Sequence, residues 1–206
     1  MTRRLGLHAL LGSGAALAIY SAFGAIVGAQ TPLAIGSARI TVSGTSNIHA
    51  YTASTTTVRV TRAHLAPVVP GSDLWASALK PGAVDAFEIA IPASTLTSPK
   101  EGLDKNMHKA LKVSQHPDIT FRLVRLEPAQ AGAATAIGIL QIAGVEREVA
   151  LDLQTERTAG GLVVKGEMEL LMTDYGIKPP TAMLGMLKTD PKVIVAFETV
   201  LTFPLT

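Results

Sequence analysis

Apolar and polar residues alternate with a period of two along most of the chain, which is the pattern of strands with one buried face. In the segment 87–91, Phe87, Ile89 and Ile91 share one face, and Gly160 is one of the turn signals that separate such segments. The alternating segments are 39–43, 55–61, 87–91, 119–126, 135–142, 148–155, 164–172 and 193–203. This pattern predicts an all-β fold of about eight antiparallel strands, arranged as a sandwich or a barrel.

One segment, 98–116, follows the helical period instead. Ser98 and Glu101 have the spacing of a capping box, and Pro117 sets the end of the helix because the residue before a proline avoids the α region. The apolar stripe of this helix consists of Leu103, Met107, Ala110 and Leu111. A single amphipathic helix among strands needs an apolar surface, so we expect it on a sheet or across the open end of a barrel.

Two irregular segments, 63–83 and 174–192, are rich in proline and glycine but also contain large apolar residues. The first contains Trp75, which we expect to cover the apolar interior. The second contains Met183 and Met186, and a long loop of this composition either forms a lid or packs permanently over the barrel end.

The segment 1–29 has the features of a secretory signal peptide. Arg3 and Arg4 precede an apolar run without acidic residues, and small residues lead up to Ala29. The alternative is a retained membrane anchor, because the run is long enough to span a bilayer. We expect cleavage after Ala29, export to the periplasm or the medium, no stable membrane span afterwards, and a single domain over 30–206.

Loss of this segment changes the charge balance. The 18 basic residues fall to 16 without Arg3 and Arg4, which equals the 16 acidic residues. A formally neutral domain gives no indication of nucleic-acid binding. The chain also has no cysteine, which excludes disulfides, thiol catalysis and thiolate metal sites.

No catalytic pattern stands out in the sequence. It contains no H-E-x-x-H zinc motif, no G-x-S-x-G nucleophile elbow and no phosphate-binding glycine loop. Histidines His49, His108 and His116 could converge in space on a metal, which leaves a metal-assisted hydrolase as one alternative. The absence of a catalytic set favours a non-enzymatic binding protein without a metal or cofactor.

Alternation by itself does not distinguish a packed core from a hollow one. A barrel with a solid core, acting as a stress or interaction protein through its loops, is therefore a second alternative. The inward positions are mainly aliphatic residues and methionine, and a cavity with such a lining suits a flexible apolar chain better than a flat aromatic ligand.

Five blocks of sequence follow one another along the chain: GTSNIH at 44–49, IPASTLT at 91–97, HPDITF at 116–121, GILQIAGVEREV at 138–149 and MTDYGI at 172–177. In this order they resemble the YceI-like family of periplasmic, lipocalin-like barrels. The resemblance covers roughly residues 37–202. It implies an eight-stranded antiparallel lipocalin-like β-barrel with one amphipathic helix near its mouth and an apolar tunnel inside.

The resemblance also implies binding of a long-chain amphiphilic lipid, such as a polyisoprenoid or an isoprenoid quinone. One departure is in the helix, where the family has Arg-Asp-x-His-Leu and this chain has Leu103-Asp104 with the histidine displaced to His108. A second departure is Ser46-Asn47 with His49, in place of the family's His-Ser pair. We therefore predict the family's apolar cavity in this chain, but we assign no site for a polar headgroup.

The predicted function is sequestration or transport of an isoprenoid or fatty amphiphile, with no nucleic-acid partner and with a homodimer left open. The predicted cavity lining is Phe87, Ile89, Phe121, Leu123, Leu151, Met168, Leu170 and Phe197. Residues predicted to cover the mouth are Met107, Leu111, Met183 and Met186.

Overall fold

The computed structural model describes residues 33–67, 73–182 and 186–203, and the expectations for 1–29 and Met183 lie outside these ranges. Short loops connect the strands and helices of the described part. The strands are β1 (Ala34–Ser46), β2 (Ala50–Thr55), β3 (Arg59–Leu65), β4 (Val84–Pro92), β5 (Asp118–Pro128), β6 (Ala133–Ile142), β7 (Val145–Thr158), β8 (Gly161–Leu171), β9 (Thr181–Ala182) and β10 (Leu187–Thr202). The α-helices are α1 (Leu74–Ala78) and α2 (Glu101–Ala110), and 93–95 and 172–175 form 3-10 turns.

The strands form one strongly curled, antiparallel sheet, with the order β2-β1-β10-β8-β7-β6-β5-β4-β3 and with β9 paired to β10. The prediction of a mostly β, antiparallel fold is confirmed. The prediction of eight strands in a closed barrel is wrong in detail. Nine strands follow one another along the sheet, and in the described part of the chain the edge strands β2 and β3 are not paired with each other.

The extra strand arises in the threonine-rich run, which the sequence analysis assigned to a single strand at 55–61. The backbone N–H of Thr57 donates to the Thr55 hydroxyl at 3.0 Å, and this local turn separates β2 from β3. Threonine favours strands throughout the run, so propensity does not show where one strand ends.

The segment after β4 pairs with the edge strand β2 beside the seam. The backbone groups of Ser54 and Thr97 exchange two hydrogen bonds, at 2.8 and 3.0 Å. Thr95 donates its hydroxyl hydrogen to the Pro92 carbonyl at 2.7 Å, so the Thr55 hydroxyl is the donor in its 2.7 Å bond to Thr95. Leu96, only 3% exposed, lies between these contacts and faces the interior. The exposed edge of β2 thus obtains partners that β3 does not supply.

Helix α2 is confirmed, but its ends differ from the prediction. The carboxylate that accepts the Ser98 backbone N–H, at 2.7 Å, belongs to Asp104 rather than Glu101. The Ser98 hydroxyl bonds the backbone of Lys100 instead of that of Glu101, so the helix begins later than expected. It also ends well before Pro117, because Lys112 adopts a left-handed conformation with φ of 53°.

Helix α1 covers the opposite end of the curled sheet, as expected for the segment around Trp75. Asp73 caps this helix by accepting the backbone N–H of Ala76 at 3.1 Å, and its carboxylate also pairs with Arg157 of β7. The Trp75 ring lies against that of Phe203, with 4.3 Å between ring centroids. An aromatic pair and an ion pair therefore fix α1 to the ends of the strands.

Aromatic rings on the inner face lie over glycines of neighbouring strands. Phe197 is directly opposite Gly166, and Tyr51 directly opposite Gly44. A Cβ atom added to either glycine would overlap the ring. Phe121 covers Gly138 in the same way, on the diagonal. Each ring fills the space of an absent side chain along the wall, which keeps its bulk away from the centre of the interior.

We expect Gly138→Ala to lower the free energy of unfolding by about 1–3 kcal/mol, because the new methyl group overlaps the Phe121 ring and the Arg122 carbonyl oxygen. Urea denaturation measures the change. The matched control is Gly102→Ala in α2, where an added Cβ meets no atom within 4 Å. The control should leave stability unchanged or raise it by up to about 1 kcal/mol. Equal stabilities for the two variants would contradict the packing described here.

Candidate functional site

The curled sheet and the two helices enclose a cavity of about 740 Å³, within the usual range for ligand sites. Every strand contributes to its wall, mostly through aliphatic side chains. Among the described residues, no large side chain is less than 2% exposed. This hollow interior contradicts the alternative of a barrel with a solid core.

The structure brings all eight predicted lining residues to the cavity wall. They are Phe87 and Ile89 of β4, Phe121 and Leu123 of β5, Leu151 of β7, Met168 and Leu170 of β8, and Phe197 of β10. The period of two accounts for their position on the wall, because only one face of each strand turns inward. Their contact with a ligand stays a prediction.

Of the four residues predicted to cover the mouth, two lie on the cavity wall and one is exposed to solvent outside it. Met107 and Leu111 lie on the cavity wall, on the inner face of α2 and just after it. Met186 is 67% exposed and is not part of that wall, and Met183 lies outside the described residues. The apolar face of α2, rather than Met186, therefore covers this end of the cavity.

The two ends of the cavity differ in polarity, which the sequence analysis did not predict. At the α1 end the wall includes Leu65, Trp75 and Leu79, with Thr155 and Thr199 as its polar residues. At the α2 end the wall includes polar residues from four separate segments. These are Ser46 and His49, Ser98 and Lys100, Asn106, and Thr181 with Thr189. Of these residues, only Ser46 and His49 lie in a sequence block that indicated a site, the block at 44–49. The other polar residues become neighbours only through the fold.

Two tyrosines of the cavity wall have buried hydroxyl groups without a hydrogen-bond partner among the described residues, Tyr51 and Tyr175. Burial raises the pKa of both phenols above the ordinary value of 10.0. The charge of Asp190 adds to the rise in the pKa of Tyr51, and Asp174 does so for Tyr175, where Arg147 acts in the opposite direction. Both phenols are therefore neutral at physiological pH.

The three histidines of the hydrolase alternative do not form a site. His108 Nε2 lies 2.8 Å from the Leu96 carbonyl oxygen, and the His116 ring lies over Gly144 of the β6–β7 turn. His49 is exposed at the tip between β1 and β2. No three His, Asp or Glu side chains gather as metal ligands in the part of the chain that the structure describes. The geometry thus contradicts the three-histidine alternative.

Residues 36–201 match the YceI-like domain. The chain belongs to the YceI-like family. The match includes almost all of the curled sheet and both helices, so the family resemblance of the five sequence blocks is confirmed. No curated protein matches the chain.

Solved structures with the same fold share little sequence with this YceI-like protein. BcnA of Burkholderia cenocepacia is 10% identical with a TM-score of 0.63, over 80% of this chain and 96% of that one. A domain from Saccharophagus degradans, described as polyisoprenoid-binding and implicated in plant cell wall breakdown, is 11% identical with a TM-score of 0.60, over 85% and 99%. The Campylobacter jejuni YceI protein is 15% identical with a TM-score of 0.52, over 73% and 85%.

Within residues 33–67, 73–182 and 186–203, no helix has both the length and the apolar character that crossing a bilayer requires.

Removing the unpartnered hydroxyl of Tyr175 by Tyr175→Phe should leave the free energy of unfolding unchanged or raise it by up to about 1 kcal/mol, because a buried unpaired hydroxyl is costly. The matched control is Thr55→Val, which removes a buried hydroxyl that bonds both Thr95 and Thr57. This control should cost about 1–2 kcal/mol. Urea denaturation at pH 7 compares the two, and an equal loss for Tyr175→Phe would show that its hydroxyl has a partner.

The raised pKa of both tyrosines also predicts a dependence of stability on pH. Above pH 10.0 the phenols ionise in the unfolded chain before they do so in the folded one, so the unfolded state is favoured. Stability should be complete below pH 10 and fall as the pH rises above it. In the Tyr51→Phe, Tyr175→Phe double variant this fall should be shallower. Identical slopes for the two proteins in denaturation between pH 9 and 11 would contradict the shifts.

Proposed function

We propose that this YceI-like protein binds one long-chain amphiphile of the polyisoprenoid type, such as an isoprenoid quinone, and sequesters or carries it without chemical change. The observation that carries the proposal is the hollow, apolar interior, whose wall extends from Trp75 at the α1 end to Lys100 and Thr189 at the α2 end. An extended interior of this kind fits a flexible hydrocarbon chain better than a compact solute.

Apolar burial supplies the driving force. Enclosing roughly 300 Å² of a hydrocarbon chain at about 25 cal/mol per Å² gains about 7 kcal/mol before the costs of immobilisation. Methionines such as Met107, Met168 and Met172 give the wall flexible side chains that adapt to branched isoprenoid units.

The polarity of the wall favours one orientation of the guest. Its tail would lie toward Trp75 and Leu79, and its polar end would lie among His49, Asn106 and Thr189 at the α2 end. Hydroxyl, imidazole and amide groups suit a neutral oxygen-containing headgroup such as a quinone. The description of the Saccharophagus degradans domain as polyisoprenoid-binding agrees with this ligand class.

The signal-like segment at 1–29 supports a site of action in the periplasm or outside the cell. A carrier in an aqueous compartment would shield the lipid from water there. A non-enzymatic role is consistent with a cavity wall made mostly of aliphatic side chains.

Native mass spectrometry of the exported protein, together with solvent extraction, tests the proposal. We expect a bound species whose extracted mass corresponds to a prenyl lipid, or one-to-one uptake of added isoprenoid quinone after delipidation. Recovery without lipid, combined with no uptake of prenyl compounds, would refute the proposed function.

Narrowing the cavity by Met168→Trp should weaken binding of a prenyl quinone about tenfold or more. A loss of roughly 60 Å² of apolar contact costs about 1.5 kcal/mol, and 1.4 kcal/mol corresponds to a factor of ten. The matched control is Glu167→Trp, one residue earlier on the exposed outer face of β8. Fluorescence titration measures both affinities, and circular dichroism checks folding. Unchanged affinity in a folded Met168→Trp protein would place the ligand elsewhere.

A further inference from the structure

Two large apolar side chains project into solvent at the α2 end of the molecule. Ile48, between β1 and β2, is 60% exposed, and Met186, just before β10, is 67% exposed. These are the highest exposures among the large hydrophobic residues of the described chain. Both lie beside residues of the cavity wall, since His49 follows Ile48 and Thr189 follows Met186 closely. We call Ile48 and Met186 the apolar rim.

Asn47 holds the two halves of the apolar rim together. Its amide nitrogen donates to the Met186 carbonyl at 2.8 Å, and its amide oxygen accepts the Lys188 backbone N–H at 2.8 Å. The Asn47 backbone N–H also donates to the Lys188 carbonyl at 3.0 Å. Three hydrogen bonds thus fix two loops that are distant in sequence, so the exposed apolar groups are presented by a defined structure.

Helix α2 lies at the same end and has a basic outer face. Lys105 and Lys109 are exposed at i and i+4 on α2, opposite the apolar stripe that faces the cavity, and Lys112 is exposed just after the helix ends. None of the three forms a salt bridge with a described residue. On the sheet, by contrast, Lys165 and Lys192 pair with glutamates. We call Lys105, Lys109 and Lys112 the lysine face.

Acidic groups at this end offset the lysine face only in part. Glu101 lies one turn before Lys105 on the exposed side of α2. Asp104, Glu146, Asp174 and Asp190 also carry negative charge at this end, where Asp104 accepts the Ser98 backbone N–H and Asp190 accepts that of Lys192. Lys178 and Lys188 add two exposed cations on the side of the apolar rim. Unpaired cations beside exposed apolar side chains match an anionic lipid surface, where lysines meet phosphates and apolar groups enter the interface.

We propose that the α2 end docks reversibly on an anionic lipid bilayer, with the apolar rim entering the interfacial region and the lysine face close to lipid phosphates. This inference rests on the proposed function, because docking in this orientation brings the polar end of the cavity against the membrane that would supply or receive the lipid. An acidic protein partner could use the same lysines, and binding to protein-free vesicles separates it from a bilayer.

Flotation with vesicles tests the docking. The exported protein, with its first residue determined by N-terminal sequencing, should bind vesicles of 30% phosphatidylglycerol in phosphatidylcholine and not vesicles of phosphatidylcholine alone. Ile48→Ser with Met186→Ser should reduce binding tenfold or more. Lys105→Gln, Lys109→Gln and Lys112→Gln together should do the same, since each lysine near the surface is worth roughly a fivefold change at low salt.

Matched controls make the same chemical changes elsewhere. Leu74→Ser with Val124→Ser removes exposed apolar residues from α1 and from the outer face of β5. Arg39→Gln, Lys80→Gln and Arg122→Gln remove three exposed cations outside the α2 end. Both control proteins should float like the unaltered one. Equal losses in the controls, retained binding in the rim and lysine variants, or no binding to anionic vesicles would overturn the docking proposal.

Ligand uptake in vesicle-free solution separates this proposal from the function on which it rests. Rim and lysine variants should still take up a soluble prenyl quinone analogue, because none of their altered residues lies on the cavity wall. Flotation without any prenyl uptake would refute the proposed lipid carrier while leaving a membrane-binding protein. Prenyl uptake without flotation would refute the docking and leave the carrier.

Discussion

Hydrogen bonds between neighbouring strands, rather than contacts across the middle, hold this interior open. Nine strands lie side by side around the curled sheet, and each one is hydrogen-bonded to its neighbours. The arrangement has one weak place, the seam between the edge strands β2 and β3. There the 3-10 turn after β4 and the residues that follow it partner β2, with two backbone bonds between Ser54 and Thr97 and a hydroxyl pair between Thr55 and Thr95. Without that segment the edge of β2 would lack these partners beside an apolar cavity.

A hollow interior has a thermodynamic consequence. Side chains that line a cavity lack partners on one side and forgo part of their dispersion contacts. With no cysteine, the chain has no disulfide to compensate for this loss. Rings laid over Gly44, Gly138 and Gly166 recover some packing within the wall itself. A guest that fills the space adds to stability by mass action, so folding and ligand binding are linked.

The sequence predicted the features that depend on local periodicity. Because strands alternate strictly, it identified inward residues such as Phe121 and Met168, and the stripe of α2 followed from the helical period. It failed where the outcome depends on residues distant along the chain. Asp104 rather than Glu101 bonds Ser98, and the threonine run hid the break between β2 and β3. The polar end of the cavity was also missed, since Ser46, Asn106 and Thr189 become neighbours only through the fold.

The two closures of the cavity differ in how firmly they are held. Helix α1 contains a buried residue, Ala78, and is fixed by the Trp75–Phe203 ring contact and the Asp73–Arg157 ion pair. Helix α2 is twice as long but has no buried residue. Two hydrogen bonds tie it to the wall, the 2.8 Å contact between His108 and the Leu96 carbonyl and the 2.7 Å bond from the Ser98 backbone N–H to Asp104, and Ala110 with Leu111 pack against the core. Because displacing α2 would expose only partly buried side chains, we expect the α2 end to open at lower cost than the α1 end.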